Sequence, residues 1–196
     1  MNNKLDHFIF NTPLTSPYGL TGDDRVEEIW CAMGCFWGAE RLFWQAEGII
    51  STSVGYAGGH TATPNYQDVC TGESGHAEVV RIIFDPLKTS LSVLLNIFWE
   101  NHVPTQGMRQ GNDLGSQYRS AIFYQNKIQQ EQAESSKSLY QSVLDKSNLG
   151  KITTEINSAG KFHIAEEYHQ QYLAKNPAGY CGIGGTGLCM PPSLNP

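Results

Sequence analysis

Cys35 sits between two glycines and two aromatics, in Gly34-Cys35-Phe36-Trp37-Gly38, just after an apolar run and just before a stretch with helical patterning. A cysteine at a strand-to-helix turn aims its sulfur at the positive end of the helix dipole and at unpaired backbone N–H groups, and both favour thiolate over thiol. The glycines leave room for a substrate. Phe36 and Trp37 supply an apolar wall unless their rings turn into the core. Taken alone, such a cysteine is better read as a buried structural thiol; the far end of the chain changes that balance. There, Gly179-Tyr180-Cys181-Gly182-Ile183-Gly184-Gly185-Thr186-Gly187-Leu188-Cys189 places two more cysteines in a segment too rich in glycine to hold a regular element. A mobile arm with two thiols, facing one activated thiol on a rigid turn, suits stepwise thiol–disulfide exchange, in which each attacking sulfur must reach the one before it. The alternative is a single structural disulfide or a tail of idle thiols.

Four further residues have the chemistry to assist a thiol. Glu78, in Gly75-His76-Ala77-Glu78, enters an apolar β-branched run. Such a carboxyl either faces solvent or is desolvated, and desolvation raises its pKa until it can act as an acid near neutral pH. Asp113 lies in a glycine-rich loop, Gln106 to Gly115, where the plain reading is a turn residue. Tyr66 and Tyr118 can donate phenolic hydrogen bonds to a substrate oxygen or simply fill the core.

The elements that must position these groups follow from periodicity. Glu28 to Met33 reads as a buried strand, Trp37 to Gln45 as a helix, and Ile49 to Tyr56 as a second strand stopped by Gly58-Gly59. Ala77 to Phe84 is a third strand, closed by Asp85-Pro86. Ser90 can cap a helix whose Leu91, Leu94, Leu95, Phe98 and Trp99 form one apolar face. Tyr118 to Tyr124 is a fourth strand. The order βαββαβ is the split βαβ signature, so the expected fold is α+β: a ferredoxin-like two-layer sandwich. Extra elements follow, with a polar helix over Lys127 to Lys146, a strand over Ile152 to Ile156, and a helix over Phe162 to Ala174 before Asn176-Pro177. Residues 1–24 read as an irregular leader on the surface, residues 25–196 as one domain, and the Gly/Cys tail from about 177 onward as mobile. The connection from Ala57 to His76 carries few helix or strand signals, and loops of that length are usually functional.

Composition narrows the class. A chain of 196 residues with 40% hydrophobic content can bury a core, while a net charge of -6 and a pI near 5.4 argue against nucleic-acid or anionic-membrane partners. No apolar run suggests a signal peptide or a membrane span, which points to the cytoplasm. Five cysteines, an odd and modest number, do not suit a secreted disulfide framework.

Over nearly the whole chain from about Glu28, the sequence resembles the A-type peptide methionine sulfoxide reductases, which reduce the S epimer of methionine sulfoxide. The strings that carry the resemblance are GCFWG, GYAGG, PNYQDVCTGESGHAEVVRIIFDP, FWENHVPTQGMRQGNDLGSQYRSAI and YHQQYLAKNPAGYCGIGGTGLC. The resemblance implies that Cys35 is the nucleophile and that Phe36 and Trp37 surround the substrate methyl. It implies that Glu78, Tyr66 and Tyr118 bind and protonate the sulfoxide oxygen, with Asp113 holding that network. Cys181 matches the resolving cysteine and Cys189 the second recycling cysteine of the three-cysteine subgroup. Cys70 and Cys31 match no catalytic position and read as buried apolar thiols. Electrons would come from thioredoxin or another dithiol, with no metal or organic cofactor, and the chain is expected to be a monomer.

Two rival classes remain. Cys31, Cys35, Cys70, His76, Cys181 and Cys189 are enough soft ligands for a zinc module, but no C-x-x-C pair exists. A cysteine hydrolase would need a histidine base from His76, His102, His163 or His169, and would leave Cys181 and Cys189 without a role. A thiol peroxidase would share the relay but hardly needs an aromatic wall.

Overall fold

Strand β1, Glu27–Met33, is buried on both faces because each side chain set has its own apolar partner layer. In the computed structural model, which describes residues 6–14 and 26–191, β1 is followed by helix α1 (Phe36–Trp44), strand β2 (Ile49–Ala57), a short helix α2 (Tyr66–Cys70), strand β3 (Ala77–Phe84) and helix α3 (Leu91–Glu100). A small hairpin of β4 (Arg109–Gln110) and β5 (Asp113–Leu114) precedes β6 (Ser120–Tyr124). Helix α4 (Lys127–Lys146), strands β7 (Glu155–Ser158) and β8 (His163–Ile164), and the short helix α5 (Tyr172–Lys175) complete the order. The main sheet runs β7-β6-β1-β3-β2-β8. β3 lies antiparallel between β1 and β2, which is the split that defines the motif, and β6 pairs antiparallel with the other side of β1. The expected α+β ferredoxin-like sandwich is the observed architecture.

Side chains alternate across the sheet with the two-residue period of a strand. Ile29, Cys31 and Met33 join Val80, Ile82 and Ile122 on one face, against Phe43 of α1, Leu94, Leu95, Phe98 and Trp99 of α3, and Tyr140 of α4. Trp30 and Ala32 join Val79, Ala121 and Phe123 on the other, closed by Phe162. β3 carries the same apolar pattern, and this is what holds its one acid, Glu78, rigidly beneath the start of α1.

Several expectations are corrected. The loop from Ala57 to His76 contains α2, started by a capping box in which Asn65 accepts from the Asp68 N–H at 3.0 Å and Asp68 accepts from the Asn65 N–H at 3.2 Å. Cys70 ends this surface helix and is exposed, not buried, since Val69 is the residue that turns inward. The fourth strand begins at Ser120; Tyr118 lies instead in a 3-10 turn over Ser116–Tyr118. β7 begins at Glu155, because the backbone N–H groups of Ile152 and Thr153 and the carbonyl of Thr154 are taken by Gln141, Pro104 and Lys137. The helix expected over Phe162 to Ala174 does not form as one element: the segment divides into β8, a 3-10 turn over Glu167–His169 and α5, so that only its last three residues are α-helical. Gln170 bonds both the N–H and the carbonyl of Val54 and the Ala165 carbonyl, and Gln171 takes a left-handed φ of 48°. The segment is stitched to the edge of β2, and that overrides its periodicity. Of the leader, Asp6 to Leu14 is described, with His7 and Leu14 buried; the rest, including its expected end near Asp24, lies outside the described residues.

Candidate active site

Gly34 makes the turn from β1 into α1 with φ +99°, and a Cβ there would meet Gln110 Cγ at 2.7 Å. Both conditions select glycine. They put Cys35 at the N-cap of α1, with the N–H groups of Trp37 and Gly38 near enough to its sulfur to lower its pKa. Burial opposes them and wins. It pushes the thiol up to about 12, with added contributions from negative charge on Glu78 and Asp113. The helix terminus therefore does not make Cys35 a resting thiolate, contrary to expectation; it offsets only part of the desolvation cost.

Glu78, 2% exposed, reaches from β3 to the same helix terminus and accepts the Phe36 N–H at 3.0 Å. Burial raises it to about 8, against the pull of that N–H and with a smaller push from Asp113. At neutral pH it holds its proton, so its charge no longer weighs on Cys35. One helix terminus thus gathers a thiol and a neutral carboxyl, the second of which is an acid ready to donate.

The predicted substrate-site residues are brought together around these two groups. A cavity of about 140 Å³ is lined by Cys35, Phe36, Trp37, Tyr66, Glu78, Asp113, Tyr118 and Tyr180. An apolar cavity of roughly 150 Å³ accommodates benzene, so a methyl sulfinyl group fits. Burial raises the pKa of Tyr66 and Tyr118, which keeps both phenols as donors. Asp113 projects from the β4–β5 hairpin and accepts from the Tyr180 hydroxyl at 3.1 Å. Tyr180 was not among the sequence candidates, although its place directly before Cys181 was a usable signal.

Phe36 does turn into the core, at 1% exposure, yet one side of it lines the cavity. Trp37 is fixed more elaborately. Its indole donates to His169 Nδ1 at 3.0 Å and stacks on Tyr172 with centroids 3.8 Å apart. Burial lowers the His169 pKa, so the ring is neutral and, accepting at Nδ1, carries its proton on Nε2. Sequence reasoning missed this role for His169. The segment bearing it is anchored by Glu40, a buried carboxyl on α1 that accepts from the Gln171 N–H at 2.9 Å, the Gln171 side chain at 2.7 Å and Thr52 at 2.9 Å. Burial raises Glu40 to about 7.

The tail is irregular from Pro177 to Met190, yet it is docked. Tyr140 bonds Thr186 Oγ1 at 2.7 Å and the Leu188 carbonyl at 3.3 Å, and Glu100 accepts the Met190 N–H at 2.7 Å. Cys181 lies against α1, whereas Cys189 is exposed farther along. All five cysteines are free thiols, and Cys31 is buried as expected. Among the described residues, no group of three or more His, Cys, Asp or Glu side chains converges as metal ligands would.

A family model described as peptide methionine sulfoxide reductase matches residues 27–186. The chain belongs to that family. It is 60% identical over 188 residues to the peptide methionine sulfoxide reductase MsrA of Vibrio parahaemolyticus, covering 96% of this chain and 87% of the relative. The MsrA of Vibrio cholerae is 58% identical over 186 residues, with 95% and 86% covered. Among solved structures, methionine sulfoxide reductase A of Corynebacterium diphtheriae superposes with a TM-score of 0.82 at 42% identity, covering 94% of this chain and 89% of that one. The reduced form of Mxr1 from Saccharomyces cerevisiae gives 0.74 at 33% identity, with 82% and 91% covered. As a peptide methionine sulfoxide reductase, the chain is an enzyme that returns methionine sulfoxide to methionine.

For such an enzyme the held indole gives a specific expectation. Enclosing one methyl group contributes on the order of 1 kcal/mol, and Trp37→Ala removes the wall as well. KM for a methionine sulfoxide peptide should rise by more than about fivefold. Steady-state kinetics check this, and unchanged constants would mean that the ring serves the core alone.

Proposed function

We propose that the chain reduces the S epimer of methionine sulfoxide, free or in a polypeptide, with Cys35 as nucleophile, Glu78 as acid and a dithiol as reductant. The observation that carries this reading is the placing of a thiol and a carboxyl protonated to about pH 8 at one helix terminus, inside one small cavity. A sulfoxide sulfur is electrophilic, but its oxygen cannot leave unprotonated. As the Cys35 sulfur bonds the substrate sulfur, Glu78 gives its proton to the oxygen, and the thiol proton replaces it. Glu78 then protonates that oxygen again and it leaves as water, which attacks the Cys35 sulfur; the S–S bond breaks with its electron pair on methionine, the spare proton of the water returns to Glu78, and Cys35 is left as a sulfenic acid. Tyr66 and Tyr118 hold the oxygen, and Asp113, through Tyr180, holds that side of the cavity together.

The epimer follows from three fixed directions. The methyl faces Phe36 and Trp37, the oxygen faces the donors, and the peptide must point outward. Only one configuration then turns the sulfur toward Cys35.

Cys181 would condense with the sulfenic acid, and Cys189 would carry the disulfide outward as Cys181–Cys189. Thioredoxin is the fitting reductant; Mxr1 of Saccharomyces cerevisiae has been crystallised in complex with Trx2. No metal or organic cofactor enters this chemistry, which suits a monomer in the cytoplasm, and among the described residues no helix is long and apolar enough to cross a membrane. A hydrolase is the weaker reading. The cavity lining holds no histidine, His169 Nδ1 is engaged by Trp37, and His102 is buried against Phe98 and Ser120. The test is to supply each separated epimer with dithiothreitol and measure methionine. Methionine from the S epimer alone is expected; equal yield from both epimers, or none from either, would overturn the proposal.

A further inference from the structure

Cys181 is held in a seat on α1. A Cβ built on Gly38 would lie 3.0 Å from the Cys181 sulfur and 3.2 Å from Ile183 Cβ, so the tail presses on the helix at the one first-turn position that lacks a side chain. Three residues on, and therefore on the same helix face, Arg41 donates from Nη2 to Cys181 Sγ at 3.0 Å. On one side of the sulfur the tail is pinned by Tyr180 on Asp113, and on the other by Ile183 packed against the core. The sulfur thus rests between the helix turn that bears Cys35 and a guanidinium that is half-buried.

We infer that Arg41 is a catalytic residue of the disulfide-forming step, stabilising the negative charge on the Cys181 sulfur as it attacks the Cys35 sulfenic acid. This rests on the assignment of Cys35 and Cys181 above. In that step Cys181 loses its proton, its sulfur bonds the Cys35 sulfur, and the S–O bond breaks. The hydroxide released takes up a proton and leaves as water. No outside oxidant is consumed, because the sulfoxide has already oxidised Cys35. A guanidinium suits this role because it is charged at every relevant pH, and its planar fork of donors can follow the sulfur as it shifts toward Cys35. Arg41 is not among the residues that line the cavity, so its effect falls after methionine has left.

The experiment is a single turnover of the full chain with one equivalent of the S sulfoxide and no reductant, quenched at intervals. Methionine released and the Cys35–Cys181 disulfide are measured separately. Arg41→Ala is expected to release methionine at close to the wild-type rate but to form the disulfide roughly 10- to 100-fold more slowly, the effect of losing one charge-assisted hydrogen bond. Arg41→Lys should recover part of the rate. Guanidinium chloride at low millimolar concentration should accelerate the Ala variant and leave the wild type unchanged, which a purely structural loss would not show. Disulfide formation at the wild-type rate in Arg41→Ala would overturn the inference, as would an equal slowing of methionine release. If wild-type methionine release succeeds but the disulfide maps to other cysteines, the Arg41 inference falls while Cys35 stands. If no methionine is released at all, the underlying assignment falls with it.

Discussion

Cys35→Ser is expected to abolish methionine formation from the S epimer with any reductant. The hydroxyl is nearly the size of the thiol, so the N-cap turn at Gly34 and the core behind Phe36 are undisturbed. What is lost is chemical. Burial already pushes the thiol to about 12, and a serine hydroxyl in the same place, far less acidic and less polarisable, cannot bond to a sulfoxide sulfur or carry its oxygen as a sulfenic acid. Chromatographic measurement of methionine decides it, and substantial product from this variant would refute the assignment.

Glu78→Gln is expected to slow sulfenic acid formation by roughly 10²–10⁴-fold, the usual contribution of a positioned acid, while substrate binding stays largely intact. Gln keeps the acceptor for the Phe36 N–H but has no proton to give. The deficit should shrink as pH falls and solvent supplies protons. Stability should move in the opposite direction. Folding raises Glu78 from 4.5 to about 8, so between those values the folded chain holds a proton that the unfolded chain has released. The stability this contributes is complete below the unfolded value and is lost as pH rises through about 8. Gln stays neutral throughout, so above pH 8 the variant should unfold at a higher temperature than the wild type. Rapid-quench kinetics and thermal scans from pH 5 to pH 9 measure both. A variant that loses binding but keeps the chemical step would mean that Glu78 only positions substrate.

How much of this was legible in the sequence depended on the range of the forces involved. β3 over Ala77–Phe84 and α4 over Lys127–Lys146 match their expected spans at both ends, because local signals bound them: Asp85-Pro86 after one and the Asn126 cap before the other. The Cys35 turn was equally legible, since glycine, cysteine and helix start are adjacent. The segment after Phe162 was not. Its conformation is set by Gln170 on Val54 and by Glu40 on Gln171, bonds that span more than a hundred residues. The raised pKa of Cys35 is hidden for a related reason: the helix terminus is visible locally, but the burial that outweighs it is a property of the assembled fold. α2 is a different case, because Asn65 and Asp68 carry a capping box in plain view although the segment around them reads as loop.

The most direct measurement of the central claim is which sulfur becomes the sulfenic acid. The Cys181→Ser chain is given one equivalent of the S sulfoxide without reductant, in the presence of a sulfenic acid trap such as dimedone, and its peptides are mapped by fragmentation. One methionine released per chain is expected, with the adduct on Cys35. An adduct on Cys31, Cys70 or Cys189, or methionine released while Cys35 remains an unmodified thiol, would contradict the assignment of Cys35 as the nucleophile.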